Sequence, residues 1–352
     1  MSTNTEPAKV ADVFASPSAL RDAFEQKLIE LLEQDVLGVF ILVLANASFE
    51  RSTFERLHQP LAAAFARWNA RFDAGDDRVT AAPADDVEVF ERLRRLGFER
   101  LEVTRWKRLG PWEVQFNQLR ALRPPRMSQA AVTCLDKPFD PEGFHFNWPF
   151  LRKEVFWEGE LAGAPVRLLY NKFPFAELHG LLVAQPSACR PQSLTQDDHA
   201  LVWEIALDLG RHLPGLGFGY NAYGAYASVN HLHFQMFMRS SGRYPIESPR
   251  WRHNAGNEPY PLPVQRHTDG RSAWLAVRQL HAAGHAYNLL YRPGCMYVVQ
   301  RAIQGSYAQS DWTGGFAWSE LVGAITTFDV DDFERLTEED IDAEFGRLAI
   351  TT

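Results

Sequence analysis

The sequence predicts an α+β fold, a largely antiparallel sheet flanked by helices with an added helical region at the N-terminus. Three observations predict it. Most of the first hundred residues carry apolar positions at helical spacing. From residue 101 onward, short strand-like segments and single helices mix without the regular spacing of βαβ units. Finally, residues 230–238, Asn-His-Leu-His-Phe-Gln-Met-Phe-Met, alternate polar and apolar side chains as a strand bordering a site would.

Within residues 1–100, Leu20, Phe24, Leu28, Leu31 and Leu32 recur at helical spacing across 20–34. The apolar run Val36 to Ala45 reads as a buried strand, and it is far too short to span a bilayer. Ser52 is placed to cap a second helix over 52–72. Residues 73–85 read as a loop by composition. A third helix begins at Asp85 or Asp86 and stops at Gly97. No catalytic motif occurs in this region, which reads as a packing or oligomerisation layer.

Residues 101–240 carry the chemistry. Strands are expected at 112–117 and on either side of the Phe173-Pro174-Phe175 loop within 167–186. A helix from Thr195 to about Leu209 follows, with Thr195 and Asp198 spaced as a capping box and Gly210 as its C-cap. Residues 241–271, rich in Pro, Gly, Asn and Ser, read as a long connection. The last part, 272–352, completes the core: a helix over 272–284, a hairpin over 287–301 turning at Arg292-Pro293-Gly294, a strand over 320–328 and a terminal helix from Thr337.

Composition narrows the function classes. The chain of 352 residues is 46% hydrophobic and 23% charged, a normal globular profile. Its net charge of −8 argues against a dedicated nucleic-acid binder. Cys134, Cys189 and Cys295 are far apart and form no CxxC pair, which argues against a disulfide framework and a cysteine-rich zinc site. With no basic-then-apolar leader at the N-terminus, the expectation is a cytoplasmic protein with no membrane partner.

On a strand, His231, His233 and Gln235 share one face, and Leu232, Phe234 and Met236 the other. Three hydrogen-bonding heads in a row are costly in a core and useful in a site. A His-x-His pair also suits a metal, but a catalytic zinc needs a third protein ligand. Gln235 is a poor one, and His179, His253, His267, His281 and His285 lack diagnostic spacing.

The motif His231-Leu232-His233-Phe234-Gln235-Met236-Phe237 resembles the signature of the transferase branch of the histidine-triad (HIT) superfamily, in which glutamine stands where the hydrolase branch has a third histidine. The wider context looks most like the GDP-L-galactose and GDP-D-glucose phosphorylases, through segments 115–125, 137–147, 171–186, 219–237, 287–300 and 333–341. Residues 1–100 do not match. The family's Asn-Glu-Gly-Arg pattern reads Asn117-Gln118-Leu119-Arg120 here.

The resemblance implies a HIT-like core and a nucleotidyltransferase acting on a nucleoside diphosphate sugar and inorganic phosphate, GDP-hexose being the first guess. It makes His233 the nucleophile of a catalytic set with His231, which contacts the phosphate or helps orient the site, and Gln235, whose amide can donate to a phosphate oxygen. It also offers Ser228, Asn221, Gly224 and Asn230 as substrate-binding residues. Arg120, on a matched segment, and Lys172 are candidate phosphate ligands, followed by Arg123, Arg126 and Arg190. No cofactor and no metal are expected. Members of the branch are often dimers, so a homodimer is the protein partner the resemblance suggests. The alternatives are a dinucleoside polyphosphate phosphorylase, a hexose-1-phosphate uridylyltransferase and, from another class, a non-catalytic nucleotide-binding protein.

Overall fold

In a computed structural model, residues 13–123, 132, 134–240 and 242–350 are described. The chain opens with four helices: α1 Pro17–Leu32, α2 Leu37–Ala47, α3 Arg51–Ala74 and α4 Ala84–Leu96. The expected strand at 36–45 is thus a helix. Every residue of α2 is buried, because it packs between α1, α3 and α4. A run that is apolar on all sides has no periodicity to distinguish a central helix from a central strand. Helix α3 begins at Arg51 with Glu50 as its N-cap and no side-chain cap bond, so Ser52 is not the cap. The loop at 73–85 contains one helical turn, Asp77–Thr80, capped by Asp76. Gly97 ends α4 as expected.

Strands β1 Arg105–Leu109 and β2 Trp112–Phe116 form a hairpin. After them come β3 Val155–Leu161, β4 Ala164–Tyr170, β5 Glu177–Ala184, helix α5 Gln196–Gly210, β6 Gly217–Asn221 and β7 Phe234–Met238. The Thr195–Asp198 capping box opens α5, while Gly210 is its last helical residue and Arg211 its C-cap. The connection 241–271 is not wholly irregular, since it contributes the edge strand β8 Val264–His267. Helix α6 Gly270–Ala283 and the hairpin β9 Ala286–Arg292 and β10 Cys295–Arg301 follow. The expected strand at 320–328 splits into a helical turn, Trp318–Leu321, and a shorter strand, β11 Ala324–Thr327. Helix α7 Glu338–Leu348 closes the chain, with Thr337 in a capping box.

Among the described residues, eight strands form one antiparallel sheet in the order β3-β4-β5-β7-β6-β9-β10-β8. A second sheet, β1-β2-β11, pairs β2 and β11 in parallel. One face of the large sheet, including Leu168, Leu182, Phe218, Phe234 and Met236, shares a continuous core with α1–α6. Its other face, through Phe237, Leu290, Tyr297 and Val299, packs on the small sheet and α7. The two faces of β7 are therefore committed to two different cores, as the alternation of its residues requires.

The N-terminal helices also hold the turn that follows β4. Tyr170 Oη donates to Phe24 O at 2.7 Å, and Asn46 Nδ2 donates to Asn171 O at 3.0 Å. Lys172 Nζ lies 2.5 Å from the carboxylate of Asp86 on α4, which is almost fully buried. Lys172→Met strands that carboxylate, and the expected loss is about 2 kcal/mol, below the ~3–5 kcal/mol of a fully buried pair because Lys172 is partly exposed. Urea unfolding measures it. An unchanged midpoint would show that water replaces the ammonium at no cost.

Candidate active site

The regular strand β7 begins only at Phe234, so the two histidines stand not on the strand but in the segment leading into it, His231 in a bend. That segment is held by Gln192. The Gln192 side chain accepts from His233 N–H at 2.9 Å and donates to His233 O at 3.2 Å and Asn221 O at 2.9 Å. Leu232 N–H donates to Arg190 O. Leu232, Phe234 and Met236 enter the core shared with the helices, while His231, His233, Gln235 and Phe237 lie on the opposite face.

A fixed donor sets the tautomer of His231 and a fixed acceptor that of His233. The Phe146 N–H donates to His231 Nδ1 at 3.1 Å, so the proton of His231 sits on Nε2. His233 Nδ1 lies 2.8 Å from His231 O, a carbonyl that can only accept, so the proton of His233 sits on Nδ1 and its Nε2 keeps a lone pair. Burial lowers both rings from their ordinary 6.5 to about 4. For His231 the charges of His233, His145 and Arg167 add to burial; for His233 the bond to His231 O opposes it. At neutral pH, one neutral imidazole presents a nucleophilic nitrogen and its neighbour presents an N–H donor. Phe146 packs against both rings, 5.7 and 5.0 Å away.

Gln235 Oε1 meets His179 Nε2 at 3.1 Å and Trp318 Nε1 at 2.9 Å. His179 is fully buried on β5. Burial, and then the charge of Arg120, push it down to about 3, against the hydrogen bond with Gln235. Arg120 donates to Phe173 O at 2.5 Å and lies between the rings of Phe175 and Phe328. Burial lowers it to about 10, so it stays cationic at neutral pH, with Glu320 opposing the shift.

Ser228 is exposed in the loop before the histidines. Asn221 Oδ1 accepts from Asn288 Nδ2 at 2.7 Å and Trp318 N at 2.8 Å. Asn230 accepts from Gln192 N–H and donates to Lys137 O and Pro138 O. Gly224 has φ +83°, and a Cβ there would stand 2.4 Å from a Leu135 methyl. Lys172 faces Asp86, Arg190 pairs with Asp198, and Arg123 lies over Phe173. Arg126 falls outside the described residues. His253 and His281 bond Ile246 O and the Tyr287 hydroxyl, while His267 and His285 contact Ser272 and Gln300. Among the described residues, no three His, Cys, Asp or Glu side chains group as metal ligands, and no helix is long and apolar enough to cross a membrane.

The structure thus brings His231 and His233 together beneath Phe146, and sets Gln235 on the same face against His179 and Trp318. Gln192, Phe146 and Trp318 were not anticipated. Phe146 lies in a segment already recognised by resemblance, but its contact with the histidines has no local signal. Gln192 and Trp318 reach the site from 41 and 83 residues away.

Residues 112–237, from β2 through the histidine motif, match the family model described as GDPGP1-like, N-terminal domain. The chain contains a GDPGP1-like domain. It is distantly related to the GDP-hexose phosphorylases. GDP-D-glucose phosphorylase 1 of Xenopus laevis is 28% identical over 229 residues, covering 54% of this chain and 57% of that protein. The Danio rerio protein of the same name is 31% identical over 134 residues, 38% of each chain. GDP-L-galactose phosphorylase 2 of Arabidopsis thaliana is 32% identical over 84 residues, covering 24% of this chain and 19% of that protein. The match thus reaches little over half the length of the frog protein and less of the others. Among solved structures, yeast Ap4A phosphorylase Apa2 in complex with Ap4A aligns with a TM-score of 0.48 at 17% identity, over 75% of this chain and 97% of that one. The GDPGP1-like domain holds every residue of the histidine motif, but Trp318 and the C-terminal strands that complete its sheet lie outside it.

Proposed function

We propose that this chain is a nucleotidyltransferase that phosphorolyses a nucleoside diphosphate hexose, GDP-hexose in the first instance, by double displacement. The observation that carries the reading is the tautomer of His233, whose Nδ1–H is held on His231 O so that Nε2 is free to attack. His233 Nε2 forms a bond to the α-phosphorus. The bond from that phosphorus to the bridging oxygen breaks, and hexose 1-phosphate leaves with the oxygen. Inorganic phosphate then attacks the same phosphorus, the P–N bond breaks, and its electron pair returns to Nε2. The products are a nucleoside diphosphate and the neutral imidazole the cycle began with.

Two features suit transfer rather than hydrolysis. His231 directs an N–H into the site and can donate to a phosphate oxygen. Gln235 has no titratable proton to give a leaving group, so the intermediate is left for an incoming phosphate. The distant GDP-hexose phosphorylase relatives support guanine as the base. Arg120, cationic at neutral pH, is the candidate partner for the diphosphate or the incoming phosphate.

The test is intact mass after brief mixing, without phosphate, with GDP-glucose, GDP-mannose, UDP-glucose, UDP-galactose or diadenosine tetraphosphate. The expected result is an acid-labile gain of one guanosine monophosphate unit from a GDP-hexose, discharged as GDP when phosphate is added. An adduct only from a UDP-sugar or the dinucleotide would replace the substrate and keep the mechanism. No adduct from any donor, with nucleotide binding intact, would favour a binding protein.

A further inference from the structure

We propose that Trp318 and His179 are positioning residues that clamp the Gln235 carboxamide by its oxygen, so that only its Nε2 faces the substrate phosphate. The proposal deepens the nucleotidyl-transfer reading and takes its substrate from it.

Donor inventory fixes the amide orientation. An indole N–H can only donate, so the Gln235 atom 2.9 Å from Trp318 Nε1 must be the oxygen. His179 gives the same answer independently. Its Nδ1 accepts the Phe175 N–H at 3.2 Å, so its proton is on Nε2, the atom 3.1 Å from Gln235 Oε1. The hydrogen bonds of the Gln235 side chain among the described residues thus both end on its oxygen. Its NH₂ group, two donors and no acceptor, is left for the site.

The indole has a built seat. It stacks on Phe237 at 5.0 Å and 14°, and its backbone N–H is held by Asn221 Oδ1 at 2.8 Å. Gly219 on β6 leaves room for it, since a Cβ there would stand 2.2 Å from Trp318 Cδ2. Two elements, β5 and the turn Trp318–Leu321, therefore converge on one side-chain amide. The reason lies in the charge of the ligand. Before substrate arrives, a glutamine free to rotate would present its oxygen to the site as readily as its nitrogen, and only the nitrogen attracts an anionic phosphate. The clamp abandons both donors if the amide flips, at a cost of two hydrogen bonds in a buried setting.

The test compares wild type with Trp318→Phe, which keeps the stacked ring and removes the N–H, and Gly219→Ala, which crowds the indole from the other side. In the free protein, the ¹H–¹⁵N signals of the Gln235 side-chain amide are assigned by their loss in Gln235→Ala. A pair that is rigid by ¹⁵N relaxation in wild type, and that shifts and gains side-chain motion in both variants, is the expected result. In single-turnover adduct formation from GDP-glucose, Trp318→Phe is expected to be about tenfold slower, yet less than twofold slower when Gln235 is already alanine. An amide pair unmoved by either variant, or equal losses in both backgrounds, would overturn the clamp. If wild type forms no adduct, the function proposed above fails, and the amide signals alone decide the clamp.

Discussion

Replacing His233 with alanine is expected to abolish the proposed covalent adduct and to lower the proposed phosphorolysis by roughly 10⁴–10⁶-fold, the range seen when a covalent nucleophile is removed from an enzyme that acts through it. The corresponding loss for His231→Ala is much smaller, on the order of 10²–10³-fold, because that ring is argued to donate one hydrogen bond rather than to form the bond. The contrast follows from the tautomers: His233 Nε2 carries the lone pair and His231 Nε2 carries the proton. Single-turnover rates with both variants check it, with folding confirmed by an unchanged urea transition. If the two losses were equal, or if His231→Ala removed the adduct while His233→Ala kept it, the assignment of nucleophile would be wrong.

The second large effect is on stability and comes from the same burial. His179 is held down to about 3, and His231 and His233 to about 4, in each case chiefly by burial. In the unfolded chain, each takes up a proton near 6.5. Between those values the unfolded chain binds more protons than the folded one, so stability rises with pH, is complete above about 6.5 and falls as the solution is acidified. Each histidine contributes a slope of about 1.4 kcal/mol per pH unit in that window. Together the three approach 4 kcal/mol per unit, against a typical total stability of about 5–15 kcal/mol. Glu50, Glu154 and Glu320 shift upward through burial and act in the opposite sense above pH 4.5, while His199, His253, His267 and His281, also lowered by burial, act in the same sense as the three. Urea unfolding at pH 7, 6 and 5 therefore shows a falling midpoint. Replacing His231 with asparagine, which can still accept the Phe146 N–H, flattens the profile by about 1.4 kcal/mol per unit. An identical profile in that variant would mean His231 is already protonated in the folded protein.

What could be read from the sequence was what is written in adjacent residues. The alternation at 231–238 gave the two faces of β7 correctly, because a strand repeats every two residues. The Thr195 and Thr337 caps and the Pro293-Gly294 turn were equally local. Helix α2 was misread because its surroundings are apolar in every direction, and only the packing of α1, α3 and α4 decides its form. The start of the expected strand at 320–328 was misread for a related reason. Glu320 and Leu321 belong to the turn Trp318–Leu321, whose Trp318 bonds Asn221 and Gln235, and neither partner is near it in sequence. The histidine pair was visible in advance. The glutamine that grips its backbone, the phenylalanine that sets a tautomer and the tryptophan that meets Gln235 belong to tertiary structure.

The shared core between the N-terminal helices and the sheet bears on where this protein can be divided. The match to the family model starts at Trp112, which invites a cut near residue 101. Such a cut would run through a hydrophobic interior. Leu28, Phe40 and Leu44 lie in the same buried cluster as Leu168, Phe218 and Phe234, and across that line Tyr170 donates to Phe24 O while Asn171 O accepts from Asn46. The part that can be recognised by descent is therefore smaller than the part that can fold. The four helices are as much a wall of the large sheet's interior as the strands themselves.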